Sequence, residues 1–270
     1  SKWSESGCTT FPETIGYDHF DFKAGGYRFI GCESGPDMRM GYALVSVSSM
    51  KWLKSLKPGK PMIFLNHYPI DTTMSNSHEV RRELIRLDCR LAIAGHVHIN
   101  KERNYDGLPG FTGTTSNGAS EYARYNIITI RDGVAKVSER RVYEDRGVTD
   151  EDGTGPWFTT ELRPVTDKLE YDADGLPSNY KLHKYSDNAT YPQVQVVWNK
   201  TEDSNIGCGF ATDGNTAWYA TASGKVVSLN LKNGSTLWTR KFDGKIYSTP
   251  AVAENTLVFT CTDGYIYALN

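Results

Sequence analysis

No apolar run in this sequence approaches the ~20 residues needed to cross a bilayer. Nor does the basic, apolar and small-residue succession of a secretory signal stand at its start, although residue 1 is Ser rather than Met. An excess of charge of one sign is also lacking: the formal net charge of -2 gives no general attraction to nucleic acid or an anionic membrane. Cysteine is scarce and unpatterned. Cys8, Cys32, Cys89, Cys208 and Cys261 are odd in number, form no C-x-x-C pair, and several lie in apolar strand-like runs. They read as small buried hydrophobes rather than a disulfide framework, which leaves the redox compartment undecided.

What is present is a globular composition, 39% hydrophobic, in a chain of 270 residues, enough for two modest domains. From Tyr17 to Val142 strands and helices alternate. "YRFIGCES" (27–34) predicts a strand and "SMKWLKSL" (49–56) a short helix with Trp52, Leu53 and Leu56 inward. "PMIFLNHYP" (61–69) predicts a strand, and "SHEVRRELIRL" (77–87) a helix that Asn76 or Ser77 can cap. "RLAIAG" (90–95) predicts the next strand, and 125–142 a hairpin turning at Asp132-Gly133. Strand, helix, strand within this span is a βαβ unit, so the strands ending near Asn66 and Ala94 should be parallel neighbours. From Glu144 to Asp174 ten Asp/Glu face three Lys/Arg, and Pro156, Pro164, Pro177 and Pro192 interrupt any period. This stretch is expected to be a tail and an acidic linker; "DEDG" and "YDADG" lack full calcium-loop spacing and read as solvated turns.

The last segment repeats. Trp198–Asn230 set over Trp238–Asn270 needs no gap, and Trp198/Trp238, Asp203/Asp243, Ile206/Ile246, Ala211/Ala251, Asn215/Asn255, Thr216/Thr256, Gly224/Gly264, Leu229/Leu269 and Asn230/Asn270 coincide. Short β-runs split by turns at a forty-residue period suggest propeller blades. "DGYIYALN" and "NG-x-x-LW" resemble the blade signature of the quinoprotein-dehydrogenase-like (PQQ-repeat) propellers. A closed propeller needs at least four blades and about two are visible. Nothing in them marks a quinone site, so the expectation is a binding or packing module whose open edges could self-associate. A quinone-dependent dehydrogenase finds no redox constellation to support it.

The chemistry lies in "RLAIAGHVHIN" (90–100), where an apolar run stops at Gly95 and offers His96 and His98. In extended backbone both imidazoles would share a face. His67 ends the neighbouring strand, and open α/β sheets bind ligands beyond the carboxyl ends of their strands. "FLNHYPI" and "AGHVHIN", with His67 and His96 twenty-nine residues apart, resemble the C-terminal half of the calcineurin-like metallophosphoesterases over roughly residues 15–142. The resemblance implies that His67 and His96 bind one metal and His98 another, within a centre of two divalent ions, Mn, Fe or Zn. Such a pair clamps phosphate and activates water for in-line attack. Asn66, Tyr68 and Asp71 could meet substrate by position, but turn and packing roles are expected of them. His19, His78 and His183 are expected to be solvated.

The family's "D-x-H", "G-D-x-x-D" and "G-N-H-[DE]" are absent from residues 1–66. They would supply the bridging aspartate, the remaining ligands and the general-acid histidine, so that acid is expected upstream of this chain and the catalytic residues stay unknown. The expected fold class is α/β, an incomplete α+β sandwich of the metallophosphoesterase type, followed by an all-β partial propeller. The expected units are 1–165, a linker 166–192, and two β-repeats at 193–270. The expected function is metal-dependent hydrolysis of a phosphomonoester or phosphodiester, with this chain carrying part of the site and inactive alone. The alternative is a non-catalytic scaffold on a degenerate phosphoesterase fold and propeller. A phosphorylated substrate is the expected partner, without nucleic acid, and the propeller resemblance points to a bacterial periplasm or envelope.

Overall fold

The computed structural model describes residues 14–35, 43–116, 122–145, 147–149, 155–166, 169–180 and 184–270. Among them β-structure predominates, in four sheets with two α-helices and a 3-10 helix (Tyr185–Thr190). The first sheet contains β1 (His19–Ala24), β2 (Tyr27–Cys32), β3 (Met62–Asn66), β4 (Cys89–Ala94), β5 (Lys101–Tyr105) and β6 (Leu108–Thr112), in the order β1-β2-β3-β4-β6-β5. β2, β3, β4 and β6 run parallel; β1 and β5 pair antiparallel at the edges. α1 (Val47–Ser55) begins where the Ser46 hydroxyl accepts from the Ser49 amide at 3.2 Å. α2 (Ser77–Arg86) starts at Asn76, whose side chain is committed instead to the backbone of Val45, in both directions.

Why β3 and β4 read as continuous apolar runs is visible in the packing. Both faces are covered, as in parallel strands generally. Met62 and Phe64 point into a core with Met50 and Leu53 of α1 and Val80 and Leu84 of α2. Ile63 and Leu91, with Phe111 of β6, point the other way, into a core with Ala135, Val137, Phe158 and Leu162. That second core is the face of another sheet: β7 (Tyr122–Arg131), β8 (Val134–Tyr143), β9 (Gly147–Thr149) and β10 (Phe158–Glu161). β7 and β8 form the expected hairpin, turning at Asp132 and Gly133 with φ of 50° and 74°. β1, β5, β6 and β10 were not foreseen.

The acidic stretch is more structured than a linker. Leu176 is buried, the Arg82 guanidinium lies 5.6 Å from the centre of the Tyr171 ring, and Tyr180 meets His78 edge-on at 6.0 Å, so 171–180 lies along α2. "YDADG" is an acidic turn in which Asp172 accepts from the amides of Asp174 and Leu176 and from Lys184 Nζ at 2.6 Å. These bonds occupy the carboxylate that a calcium ion would need. "DEDG" lies outside the described residues. So do Cys8 and His183; Cys32, Cys89, Cys208 and Cys261 are free thiols, and burial pushes those of Cys32 and Cys89 up to about 12, leaving them inert.

The C-terminal segment forms a four-stranded sheet, β11 (Ala211–Thr212), β12 (Thr216–Ala220), β13 (Lys225–Asn230) and β14 (Thr236–Lys241), and a three-stranded one, β15 (Ala251–Ala253), β16 (Thr256–Thr260) and β17 (Ile266–Leu269). The forty-residue offset holds in the registers: Ala211 faces Trp218 as Ala251 faces Val258, and Ala217 faces Leu229 as Leu257 faces Leu269. It also holds in the side chains. The Cys208 thiol bridges the backbone N–H and C=O of Ala220, both at 3.2 Å, and the Ser248 hydroxyl does the same at Thr260, both at 3.0 Å. The two tryptophans differ. Trp238 lies in β14 and is 39% exposed, whereas Trp198, outside any strand, donates from Nε1 to the Leu231 carbonyl at 2.9 Å and packs on Gly234. The sheet of β11–β14 has four strands; that of β15–β17 has three.

Candidate metal site

β3 and β4 end flush, Asn66 opposite Ala94. One residue further, the Gly95 amide donates to the His67 carbonyl at 3.0 Å, tying the two strand ends together. The ring centres of His67 and His96 stand 5.3 Å apart at 74°. They meet at the carboxyl edge of the parallel strands, where the βαβ reading put them.

The local geometry differs from the expectation. Extended backbone stops at Ala94, so the shared face of alternating strand residues does not apply to His96 and His98. Both histidines are instead left-handed, with φ of 66° and 61°. For an L-residue that conformation costs roughly 1–2 kcal/mol. It persists where the surroundings over-determine the backbone, and such residues cluster at functional sites. The restraints here can be named. Val97 N donates to the Gly95 carbonyl at 2.8 Å, and Gly113 N to that of Ala94 at 2.8 Å. Thr112 Oγ1, on a fully buried residue, donates to the Ile99 carbonyl at 3.1 Å. The Asn100 side chain is held by Glu139 at 2.7 Å and by Asn126 at 2.9 Å. The 95–100 loop is thus fixed at both ends while His67 and His98 stay exposed and His96 half-buried.

Gly95 is informative by contrast. Its φ is not positive, and a Cβ there would meet only the His67 carbonyl oxygen at 3.7 Å and its Nδ1 at 3.8 Å, ordinary contacts. Nothing in the fold requires glycine at this position, which leaves close approach of a ligand as a reason for it.

The neighbours play the structural parts expected of them. Asn66 Nδ2 donates to the Tyr68 carbonyl at 2.9 Å, Tyr68 is buried, and Asp71 accepts from Thr73 and from Arg103 at 3.4 Å. Asn66 Oδ1 is buried without a hydrogen-bond partner. His19 is not simply solvated: it pairs with Asp18 at 2.6 Å and stacks on Trp52 at 4.1 Å. Burial holds His78 below its ordinary range, with Glu79 pulling against that shift. A cavity of about 440 Å³, between Asp18, Glu33, Ser46, Asp203, Lys241 and Lys245, touches none of the three site histidines.

The donor set can be tested against a metal ion. Two imidazoles on one tetrahedral ion, with metal–nitrogen bonds of about 2.0–2.1 Å, place their ring centres about 5 Å apart, close to the 5.3 Å between His67 and His96. The ring separation of His67 and His96 matches that distance. Among the described residues no group of three or more His, Cys, Asp or Glu could hold a metal ion, the set His67, His96 and His98 included, so the structure does not bring the three expected ligands together.

A family model described as "Outer membrane protein assembly factor BamB" matches residues 191–270. The C-terminal segment is thus similar to PQQ-type propeller repeats. Among curated proteins nothing matches. Among solved structures, BamB from Moraxella catarrhalis is 20% identical over 27% of this chain, with a TM-score of 0.26. Vps29 from Chaetomium thermophilum is 10% identical over 57% of this chain and 66% of its own, with a TM-score of 0.31. Zinc-bound Vps29 from Entamoeba histolytica is 11% identical over 54% of this chain and 61% of its own, at 0.27. The chain spans 24% of the length of the Moraxella protein.

Proposed function

We propose that residues 15–142 are part of a metallophosphoesterase catalytic domain, with His67, His96 and His98 as metal ligands, joined to propeller blades. The observation that carries this reading is the meeting of His67 and His96 at the ends of two parallel strands, on a loop whose left-handed histidines are held in place at a cost. His67 and His96 would share one ion, and His98 would serve a second. A pair of divalent cations would supply charge stabilisation and a water of lowered pKa for attack on a phosphomonoester or phosphodiester. The contribution of this chain is positional: its loop sets the two imidazoles within reach of a common point. Bridging carboxylate and general acid are not supplied by the described residues, so the chain alone should bind one zinc or manganese ion weakly and leave an aryl phosphate intact. Isothermal titration with Zn²⁺ and Mn²⁺, beside a phosphatase assay, tests this. Loss of the binding heat in His96→Ala supports the reading, and an unchanged titration would sink it.

A second reading has its own support in the match of residues 191–270 to the BamB description: a scaffold of the bacterial envelope in which the phosphoesterase-like part has lost its chemistry. The two separate on the gene. An enzyme must encode D-x-H and G-N-H-[DE] ahead of residue 1; a scaffold has no need of them.

A further inference from the structure

We infer that Tyr68 is a positioning residue for His96, its ring holding the imidazole in the orientation from which it meets His67. The Tyr68 and His96 rings lie with centres 3.8 Å apart and planes tilted by 32°, a face contact, while the Tyr68 and His67 rings are nearly perpendicular, at 5.2 Å and 83°. One aromatic side chain therefore meets both candidate ligands. It is well placed to impose order, because it is itself immobile. Tyr68 is 6% exposed and belongs to the helix-side core with Phe64, Ile70 and Met74. Its amide donates to the Ser34 hydroxyl at 3.2 Å, itself buried, and its carbonyl accepts from Asn66.

Face contact between aromatic rings has a preferred geometry, so the Tyr68 ring favours one orientation of the His96 imidazole over its alternatives. Groups that orient a ligand without touching the metal commonly change affinity 10–100-fold when removed.

The metal-affinity part of this inference rests on the proposed function; the ring-orientation part does not, and the experiment keeps them apart. In the metal-free full chain, NMR of the imidazole protons should show a contact between the His96 and Tyr68 rings and a ring-current shift at His96. Tyr68→Leu, which keeps apolar bulk in the core, should abolish that shift while the signals of His19 and His78 stay in place; Tyr68→Phe should preserve it. Zn²⁺ titration should then show about tenfold weaker binding in Tyr68→Leu and little change in Tyr68→Phe. If the native protein gives no His96–Tyr68 contact, or Tyr68→Leu leaves the His96 signals unmoved, the positioning role is overturned. Should the ring shift behave as stated while no variant binds zinc, Tyr68 keeps its role and the metallophosphoesterase reading falls.

Discussion

At the scale of single residues, the two histidines of "GHVH" are two of the six non-glycine residues with left-handed φ among the described residues, and strain makes a measurable statement. His98 is exposed and left-handed, with φ of 61°, so its backbone cost is offset by no burial. Glycine adopts that φ without the Cβ clash, although it loses more backbone entropy on folding. His98→Gly should therefore raise stability by about 0.5–1 kcal/mol, a rise of about 1–4 °C in the melting midpoint of a domain this size, while weakening metal binding. His96→Gly should gain less, because it also loses the ring contact with Tyr68. A thermal melt in which His98→Gly is no more stable than the native chain would remove the claim of stored strain. The meeting of His96 with His67 was legible in the sequence, whereas the structure does not gather His98 with them into a group that could hold a metal ion. The conformation of His96 and His98 was not legible, because alternation along a strand says nothing once the strand ends, and it ends at Ala94.

At the scale of elements, legibility followed the strength of the local signal. The β3-α2-β4 unit announced itself through two apolar runs around an amphipathic helix, and the structure pairs those strands in parallel. The β5–β6 hairpin carried a signal that went unread. Asp106-Gly107 is a D-G turn, both residues left-handed at φ of 52° and 89°, like Asp132-Gly133 in the hairpin that was read. The charged edge strand "KERNY" hid it, since edge strands need no apolar face. The 171–180 segment was misjudged for a different reason: its buried Leu176 and the Tyr171–Arg82 contact are tertiary, and acidic composition cannot report them. The repeat was the most legible element, and it yields a prediction about two equivalent glycines. Gly224 and Gly264 occupy the same turn forty residues apart, with φ of 84° and 88°. A Cβ on Gly224 would lie 2.2 Å from the Gly244 carbonyl oxygen and 2.7 Å from that of Phe242, whereas one on Gly264 meets nothing within 4 Å. Backbone cannot retreat as a flexible side chain can. Gly264→Ala should cost only the left-handed penalty, about 1–2 kcal/mol. Gly224→Ala adds a clash with the 242–244 backbone that leaves β14 beside it, where the Phe242 amide donates to the Gly224 carbonyl at 2.8 Å, and should cost about 1–3 kcal/mol more. Denaturant titration of the two variants checks this, and equal losses would mean that the 242–244 backbone does not pack against Gly224.

At the scale of the whole molecule, burial separates into two sets. The cores on either face of the first sheet draw on residues between Tyr27 and Val165, and those of the blades on residues between Trp198 and Leu269, with no residue in common. Between the sets the Val47 amide donates to Asn205 Oδ1 at 3.0 Å, an exposed bond and so a weak one. Cooperative unfolding needs shared packing, and segments that share little of it open as separate units. The chain should therefore melt in two calorimetric transitions. Leu91, fully buried between the first sheet and the second, and Leu229, 1% exposed beneath the blades, each report on one set. Truncating either to alanine should cost about 2–5 kcal/mol within its own unit. Leu91→Ala should lower one transition and leave the other in place, and Leu229→Ala should do the reverse. The same pair of variants bears on the site, since Leu91 lies on the strand that leads into His96 while Leu229 lies on a blade. Zinc, if held by His67 and His96, should raise only the transition that Leu91→Ala lowers, by mass action on the folded form of that unit. A single transition shifted equally by both truncations would instead make the blades and the histidine-bearing sheet one cooperative body.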